Sequence, residues 1–282
     1  MNKEAPTALV LGGTGRTGSL LAGTLARRGI TPRTAARRGA DVRFDWDDPA
    51  THPDALDGVD RLYLVTPVMR VRYADQVADF LDLAETAGVR HVTFLSTYNA
   101  DQAPEGIDIA AVEADLASRR SVTHSVLRPA WVMQNFADDH LPVVDGVITA
   151  PSDGGTEAFV DAEDIAAVAA ETLLDPEAHA GAVYSLTGPE ALTFREVADT
   201  IASVSGRPVS YDDIDQEAWI NGALAAGVSA DYAVMLRWLT GAIVTGNGAT
   251  PTGDIEKVTG RPATTFREFA ERNARAWTGE AS

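Results

Sequence analysis

Cysteine is absent from the 282-residue chain, which removes disulfides, thiolate nucleophiles and cysteine-based metal centres from consideration. Lysine occurs only as Lys3 and Lys257, and acidic residues outnumber Lys and Arg by 41 to 23, giving a net charge of −18. Affinity for a phosphate backbone is built from clustered Lys and Arg, so nucleic acid is not an expected partner. No uninterrupted apolar stretch is long enough to span a bilayer, and Met1-Asn2-Lys3-Glu4-Ala5-Pro6 lacks the charged-then-apolar pattern of a secretory signal. A soluble, cytoplasmic protein with no membrane partner is expected. His52, His91, His124, His140 and His179 are scattered without paired ligand spacing, so no metal site is expected.

What is present is concentrated near the start. Thr7 to Leu11 is an apolar, strand-like run, Gly12 to Gly18 is a glycine-dense turn, and Ser19-Leu20-Leu21 opens a helix. Gly13, Gly15 and Gly18 satisfy the spacing G-x-G-x-x-G. That spacing lets the chain turn tightly, brings main-chain N–H groups against a diphosphate and packs the helix close to the strand. The helix N-terminus adds partial positive charge. Gly12, Gly13, Thr14, Gly15, Arg16, Thr17 and Gly18 are therefore candidate nucleotide contacts.

The cofactor is read from the segment about 20 residues further on, where an NAD-binding fold places an acid on the ribose hydroxyls. Here it is Thr34-Ala35-Ala36-Arg37-Arg38-Gly39. Guanidiniums pair with a 2′-phosphate through charge-assisted, often bidentate hydrogen bonds, which points to NADP(H). Arg37 is the leading candidate, with Arg38 and Arg16 behind it. A solvated basic turn is the alternative, since Arg27-Arg28 is a pair with no such purpose.

Apolar strands alternate with helical periodicity through the first half, the pattern of a doubly wound parallel sheet of Rossmann type. Strands are expected near 7–11, 31–35, 41–45, 61–65, 91–96 and 123–128, with helices over Ser19–Arg28, Val71–Ala87 and Ile107–Arg119. Beyond about Ala130 the chain reads as loops and helices with one strand near 183–187. Thr193/Glu196 and Thr265/Glu268 are capping boxes, and Asp161 looks like the cap of a helix over Ala162–Leu174. The expected division is a dinucleotide-binding domain over 1–150, completed by the strand near 183–187, and a smaller, mostly helical substrate-binding portion over 151–282.

The glycine loop, Val42 to Pro49, Leu127 to Phe136, Phe159-Val160-Asp161 with Asp164-Ile165-Ala166, and Tyr184 to Glu190 together resemble the NmrA-like atypical short-chain dehydrogenase/reductase family, in the branch of ergot alkaloid and quinone reductases. By that resemblance Asp45, with Trp46 beside it, approaches the adenine, Thr66 and Pro67 flank the cofactor, and Ser96-Thr97 lie near the nicotinamide ribose. It likewise implies that Pro129 and Ala130 border the nicotinamide, and that Trp131, Met133, Asn135 and Phe136 face the substrate.

The chain departs from ordinary short-chain reductases, which protonate a carbonyl with a Tyr whose acidity is raised by a Lys four residues later. Neither lysine here stands four residues after a tyrosine, and the helical segment Asp108 to Glu113 also lacks the Lys of the resembling isoflavone reductases. The expectation is an NADPH-dependent reductase of a small molecule whose hydride acceptor needs little acid assistance: a quinone, an iminium ion or an activated double bond. Tyr98 is the candidate proton donor, a packed aromatic being its alternative. Asp138 and Asp139 beside His140 line the pocket, bind a cationic substrate or are merely solvated. Trp219 and Trp238, in helical stretches, read as core, with a roof over an aromatic ligand as the alternative. An NADP(H)-sensing regulator without chemistry and a non-redox isomerase or cyclase are the alternative functions, and the oligomeric state is expected to be monomer or homodimer.

Overall fold

A computed structural model describes residues 5–138 and 140–278. In chain order the elements are β1 (Thr7–Leu11), α1 (Arg16–Arg27), β2 (Thr31–Ala36), β3 (Val42–Arg43), α2 (His52–Leu56), β4 (Arg61–Leu64), α3 (Ala74–Ala87), β5 (His91–Leu95), α4 (Ile109–Ser118), β6 (Thr123–Pro129), β7 (Val147–Ala150), β8 (Thr156–Glu157), α5 (Ala162–Leu174), β9 (Ala182–Leu186), β10 (Leu192–Thr193), α6 (Phe194–Ser205), β11 (Ser210–Asp213), α7 (Gln216–Ala225), α8 (Ala230–Val244), α9 (Asp254–Thr259) and α10 (Phe266–Arg272). No helix among the described residues is long and apolar enough to cross a membrane.

The chain divides into two units, residues up to Arg128 with Ala162–Ser185, and Pro129–Asp161 with the residues from Leu186 onward. The path therefore crosses between them three times, where the sequence suggests one boundary near 150. The physical reason is that sheet completion needs later chain: α5 packs on α1, and β9 takes its place beside β6.

The first unit carries a seven-stranded sheet in the order β3-β2-β1-β4-β5-β6-β9. Neighbouring strands from β3 through β6 run parallel, in the registers Val10↔Thr34, Val10↔Tyr63 and Phe94↔Val126 among others. Strands covered on both faces must be apolar on both, and Ala8, Leu9, Val10 and Leu11 are all buried, as are Leu62, Tyr63 and Leu64. The order reverses direction between β1 and β4, so the crevice for a ligand lies outside the carboxyl ends of those strands.

Two elements differ from their sequence reading for local reasons. The strand expected over 41–45 is paired only at Val42 and Arg43, because Phe44 turns inward to stack on His52 at 4.7 Å and meet Phe80 edge-on at 5.2 Å. The helix expected from Val71 begins at Ala74, where Asp108 Oδ2 accepts the N–H groups of Tyr73 and Ala74 at 2.5 and 2.8 Å.

The second unit has a core of its own in which Phe136, Phe159, Phe194, Phe266 and Phe269 are buried together. Phe136 meets Phe159, Phe194 and Phe266 at centroid distances of 5.1, 5.8 and 5.6 Å. Its two small sheets pair β7 with β11 in parallel and β8 with β10 antiparallel. Both capping boxes form: Thr193 and Thr265 accept from the main-chain N–H of Glu196 and Glu268, whose carboxylates reach back to the caps at 2.8 Å.

Candidate functional site

The cradle at the end of β1 is shaped by three different demands on glycine. Gly12 holds the left-handed φ of +65°, and its carbonyl accepts the N–H of Gly15 at 2.8 Å, closing the turn. A Cβ on Gly13 would lie 2.6 Å from Thr34 Cβ, and one on Gly18 would lie 2.2 Å from the Gly12 carbonyl oxygen. The spacing G-x-G-x-x-G singles out 13, 15 and 18, but the residue that makes the turn is Gly12. The first turn of α1 contains no acidic residue, and no side chain caps it at Gly15. Main-chain amides and the positive end of the helix dipole therefore meet no built-in anion, and a diphosphate fits this cradle.

Thr17, in that first turn, accepts a hydrogen bond from the buried Tyr63 hydroxyl at 3.1 Å. Burial pushes the Tyr63 phenol well above its ordinary range, so it stays neutral and serves as the donor. Tyr63→Phe is expected to cost about 1 kcal/mol of stability, read by urea unfolding, because it removes one buried hydrogen bond with little change of shape. A loss well above that would mean that the ring, not the hydroxyl, holds the contact.

Other residues singled out from the sequence also follow carboxyl ends of strands. Arg37 and Arg38, after β2, are exposed, and neither forms an ion pair among the described residues. After β3, Asp45 accepts the Asp47 N–H through Oδ1 at 3.1 Å, and Trp46 is half-buried against Phe44 and Phe80. After β4 come half-buried Thr66 and buried Pro67, then Val68, which is 81% exposed, and Met69 with a left-handed φ of +61°. Arg70 pairs with Asp47, tying the segment after β4 to the segment after β3.

At the end of β5 the Ser96 hydroxyl donates to Glu113 Oε1, and Arg128 holds Glu113 from the other side at 3.1 and 2.6 Å. Arg128 Nη1 also reaches Asp101 at 2.7 Å, and hydrogen bonding to Glu113 raises the Arg128 pKa further. Glu113 and Arg128 are thus a mostly buried, bidentate pair that fixes the orientation of Ser96. Thr97 and Tyr98 are half-buried, and the Tyr98 hydroxyl has no hydrogen-bond partner among the described residues. Nothing in the residue pattern announced Glu113, because an acid on an amphipathic helix usually faces water.

In the second unit Pro129 and Trp131 are half-buried, Ala130 is buried, and the Ala130 N–H donates to the Leu186 carbonyl at 2.9 Å. Met133 and Phe136, expected on the substrate side, are each 1% exposed and packed in the aromatic core. That corrects their reading: the short turn after Val132 directs both inward, leaving Trp131 and Asn135 half-buried. Trp219 packs against the core and donates to the Thr149 carbonyl at 3.2 Å, while Trp238 is half-buried. His140 Nδ1 lies 2.9 Å from Asp138, and Asp139 lies outside the described residues. Asp161 is fully buried, accepts from Gln134 Nε2 at 2.7 Å and pairs with Arg272.

A parallel sheet with a glycine cradle at its switch point and an uncapped helix behind it defines a dinucleotide-binding protein of Rossmann type. The chain belongs to the NmrA-like family, whose model matches residues 4–271. It is 31% identical to the NAD(P)H azoreductase of Xenophilus azovorans, covering 95% of this chain and 98% of that one. It is 30% identical to festuclavine dehydrogenase of Aspergillus fumigatus, covering 96% and 99%. Among solved structures, the NADPH complex of the quinone oxidoreductase QOR2 from Escherichia coli superposes with a TM-score of 0.74 at 25% identity, over 94% of this chain and 99% of that one.

Proposed function

We propose that this chain is an NADPH-dependent reductase that delivers hydride to a conjugated small-molecule acceptor, with cationic acceptors such as iminium ions favoured over those that need a proton. The azoreductase and festuclavine dehydrogenase relatives support a nicotinamide-dependent oxidoreductase. The cradle of Gly12 to Gly18 holds the diphosphate, Arg37 with Arg38 holds the 2′-phosphate, and Asp45, Trp46, Thr66 and Pro67 hold the adenosine half. Ser96 and Thr97 take the nicotinamide end. When bound, the reduced nicotinamide supplies the hydride.

The observation that carries the preference for cations is the state of the Ser96 hydroxyl. Its proton is committed to Glu113, which Arg128 holds in place, so Ser96 offers the ligand only lone pairs. A cation that gains hydride becomes a neutral amine, which takes its proton from solvent afterwards and asks none of the site, whereas a quinone that gains hydride becomes an anion that the site must protonate. Tyr98 is the proton donor for acceptors of that second kind. Holding the acceptor carbon at near-attack distance, ~3 to 3.5 Å, then supplies most of the rate.

The test follows NADPH absorbance with a cyclic iminium salt and a benzoquinone as probes, for the unmodified protein and for Tyr98→Phe. Turnover of the iminium unaffected by Tyr98→Phe is expected, with turnover of the quinone slowed by the same substitution. Turnover of the quinone alone would overturn the preference for cations, and turnover of neither probe would overturn the reductase reading.

A further inference from the structure

Between β2 and β3 the chain makes a tight excursion whose ends are tied by a single side chain. Asp41 Oδ2 accepts the Thr34 N–H at 2.8 Å and the Thr34 hydroxyl at 2.7 Å, while the Asp41 N–H donates back to Thr34 Oγ1 at 3.0 Å. The residues enclosed by this clasp include Arg37 and Arg38, and Gly39 takes a left-handed φ of +72° to turn the chain. The clasp also sits against the phosphate cradle. Thr34 is the residue that a Cβ on Gly13 would strike, and a Cβ on Gly39 would come within 3.9 Å of Thr14 Cγ2.

An acid seven residues past Thr34, beside two arginines, would ordinarily be drawn to a guanidinium. Here Asp41 is turned back on Thr34 and pairs with neither Arg37 nor Arg38. Those hydrogen bonds hold its carboxyl below the usual carboxylate range, so it accepts from Thr34 at any physiological pH. Two consequences follow from elementary binding physics. The guanidiniums keep their charge available for a ligand, and the loop that bears them is ordered before the ligand arrives, which lowers the entropy cost of binding.

We propose that Asp41 is a positioning residue that sets coenzyme choice, clasping the 37–40 loop onto Thr34 so that Arg37 and Arg38 are presented beside the phosphate cradle to a 2′-phosphate. This rests on the NADPH reading above and extends it to a residue that acts through the loop. Asp41 selects the phosphorylated coenzyme through the loop, and it contributes nothing to the nicotinamide end.

The test is calorimetric titration of the full chain with NADPH and with NADH, for the unmodified protein and for Asp41→Ala, Asp41→Asn, Thr34→Val and Arg37→Ala. Asp41→Ala is expected to weaken NADPH about tenfold with NADH changed less than about twofold, as the loss of one preorganised charge-assisted contact. Asp41→Asn keeps an oxygen for both Thr34 donors and is expected to stay within about threefold of the unmodified protein for NADPH. Should Asp41→Ala not fold, Thr34→Val preserves shape, removes the two hydroxyl bonds and is expected to show a smaller loss confined to NADPH. Equal weakening of both coenzymes, or no change in either, would overturn the role of Asp41. Equal affinity of the unmodified protein for both coenzymes, with Arg37→Ala silent, would instead overturn the 2′-phosphate reading itself.

Discussion

Gly18→Ala is expected to abolish measurable coenzyme binding, while Gly23→Ala in the same helix is expected to stabilise the protein and leave binding intact. Both glycines lie in α1, about one and a half turns apart. The added methyl at 18 would stand 2.2 Å from the Gly12 carbonyl oxygen and 2.8 Å from its carbon, both main-chain atoms of the turn that forms the cradle. Main chain cannot yield as a side chain can, so the helix must move off the loop, at a cost of about 1–3 kcal/mol and the loss of the aligned amides. At 23 the methyl would meet only Arg27 Nη1, at 3.5 Å, the far end of a flexible side chain. There the usual helix preference for Ala over Gly applies, about 0.5–1 kcal/mol. Thermal unfolding with and without NADPH separates the two. A Gly18→Ala protein that keeps its coenzyme-dependent rise in melting temperature would contradict the cradle geometry.

Glu157→Gln is expected to stabilise the protein by an amount that grows with pH, reaching about 3 kcal/mol above neutrality. Glu157 is 2% exposed, its Oε1 has no partner among the described residues, and its Oε2 accepts the Ala249 N–H at 3.0 Å. Burial pushes its pKa from 4.5 up to about 7, against the lowering effect of the Ala249 and Trp131 main-chain N–H groups. The folded state therefore retains a proton that the unfolded chain gives up above 4.5, and stability falls as pH rises from 4.5 to 7, by about 3 kcal/mol.

A second buried group acts with the opposite sign. His91 is 1% exposed beside Thr93, Thr123 and Ser125, and burial, reinforced by the Arg61 charge, lowers its pKa from 6.5 to about 4. The unfolded chain binds that proton up to 6.5 and the folded state does not, so stability rises from pH 4 to 6.5 by a similar ~3 kcal/mol. The two slopes nearly cancel in the unmodified protein, and Glu157→Gln exposes the His91 slope alone. Urea unfolding at pH 5, 6 and 8 reads this directly, and a difference between variant and unmodified protein that stays constant across those values would refute it. The carboxylates held low by hydrogen bonds, such as Asp213 and Glu196, act below this window.

The parallel sheet was legible because covered strands must be apolar on both faces, and runs such as Ala8 to Leu11 leave little else to read. The glycine cradle was legible in position but not in detail: the spacing rule points to Gly13, while the positive φ falls on Gly12. The small sheets of the second unit left little trace. Ser210 to Asp213 is polar and mostly exposed, and its parallel partner, Val147 to Ala150, lies about sixty residues away in sequence. Residue type likewise could not tell Met133 and Phe136 from Trp131 and Asn135, because the direction of a side chain after a strand depends on a turn that the text does not spell. Asp41, Glu113 and Glu157 were invisible for a shared reason: each is an ordinary acid in an acidic chain until the fold gives it particular hydrogen-bond donors.

The strongest single test is calorimetric titration of the unmodified chain with NADPH and NADH under matched salt. Binding of NADPH at least ~30-fold tighter than NADH is expected, as the worth of about 2 kcal/mol from guanidinium contacts to the 2′-phosphate. Absence of heat with either coenzyme, or equal affinity for the two, would contradict the assignment of the Gly12 to Gly18 cradle and the Arg37 loop to a phosphorylated dinucleotide.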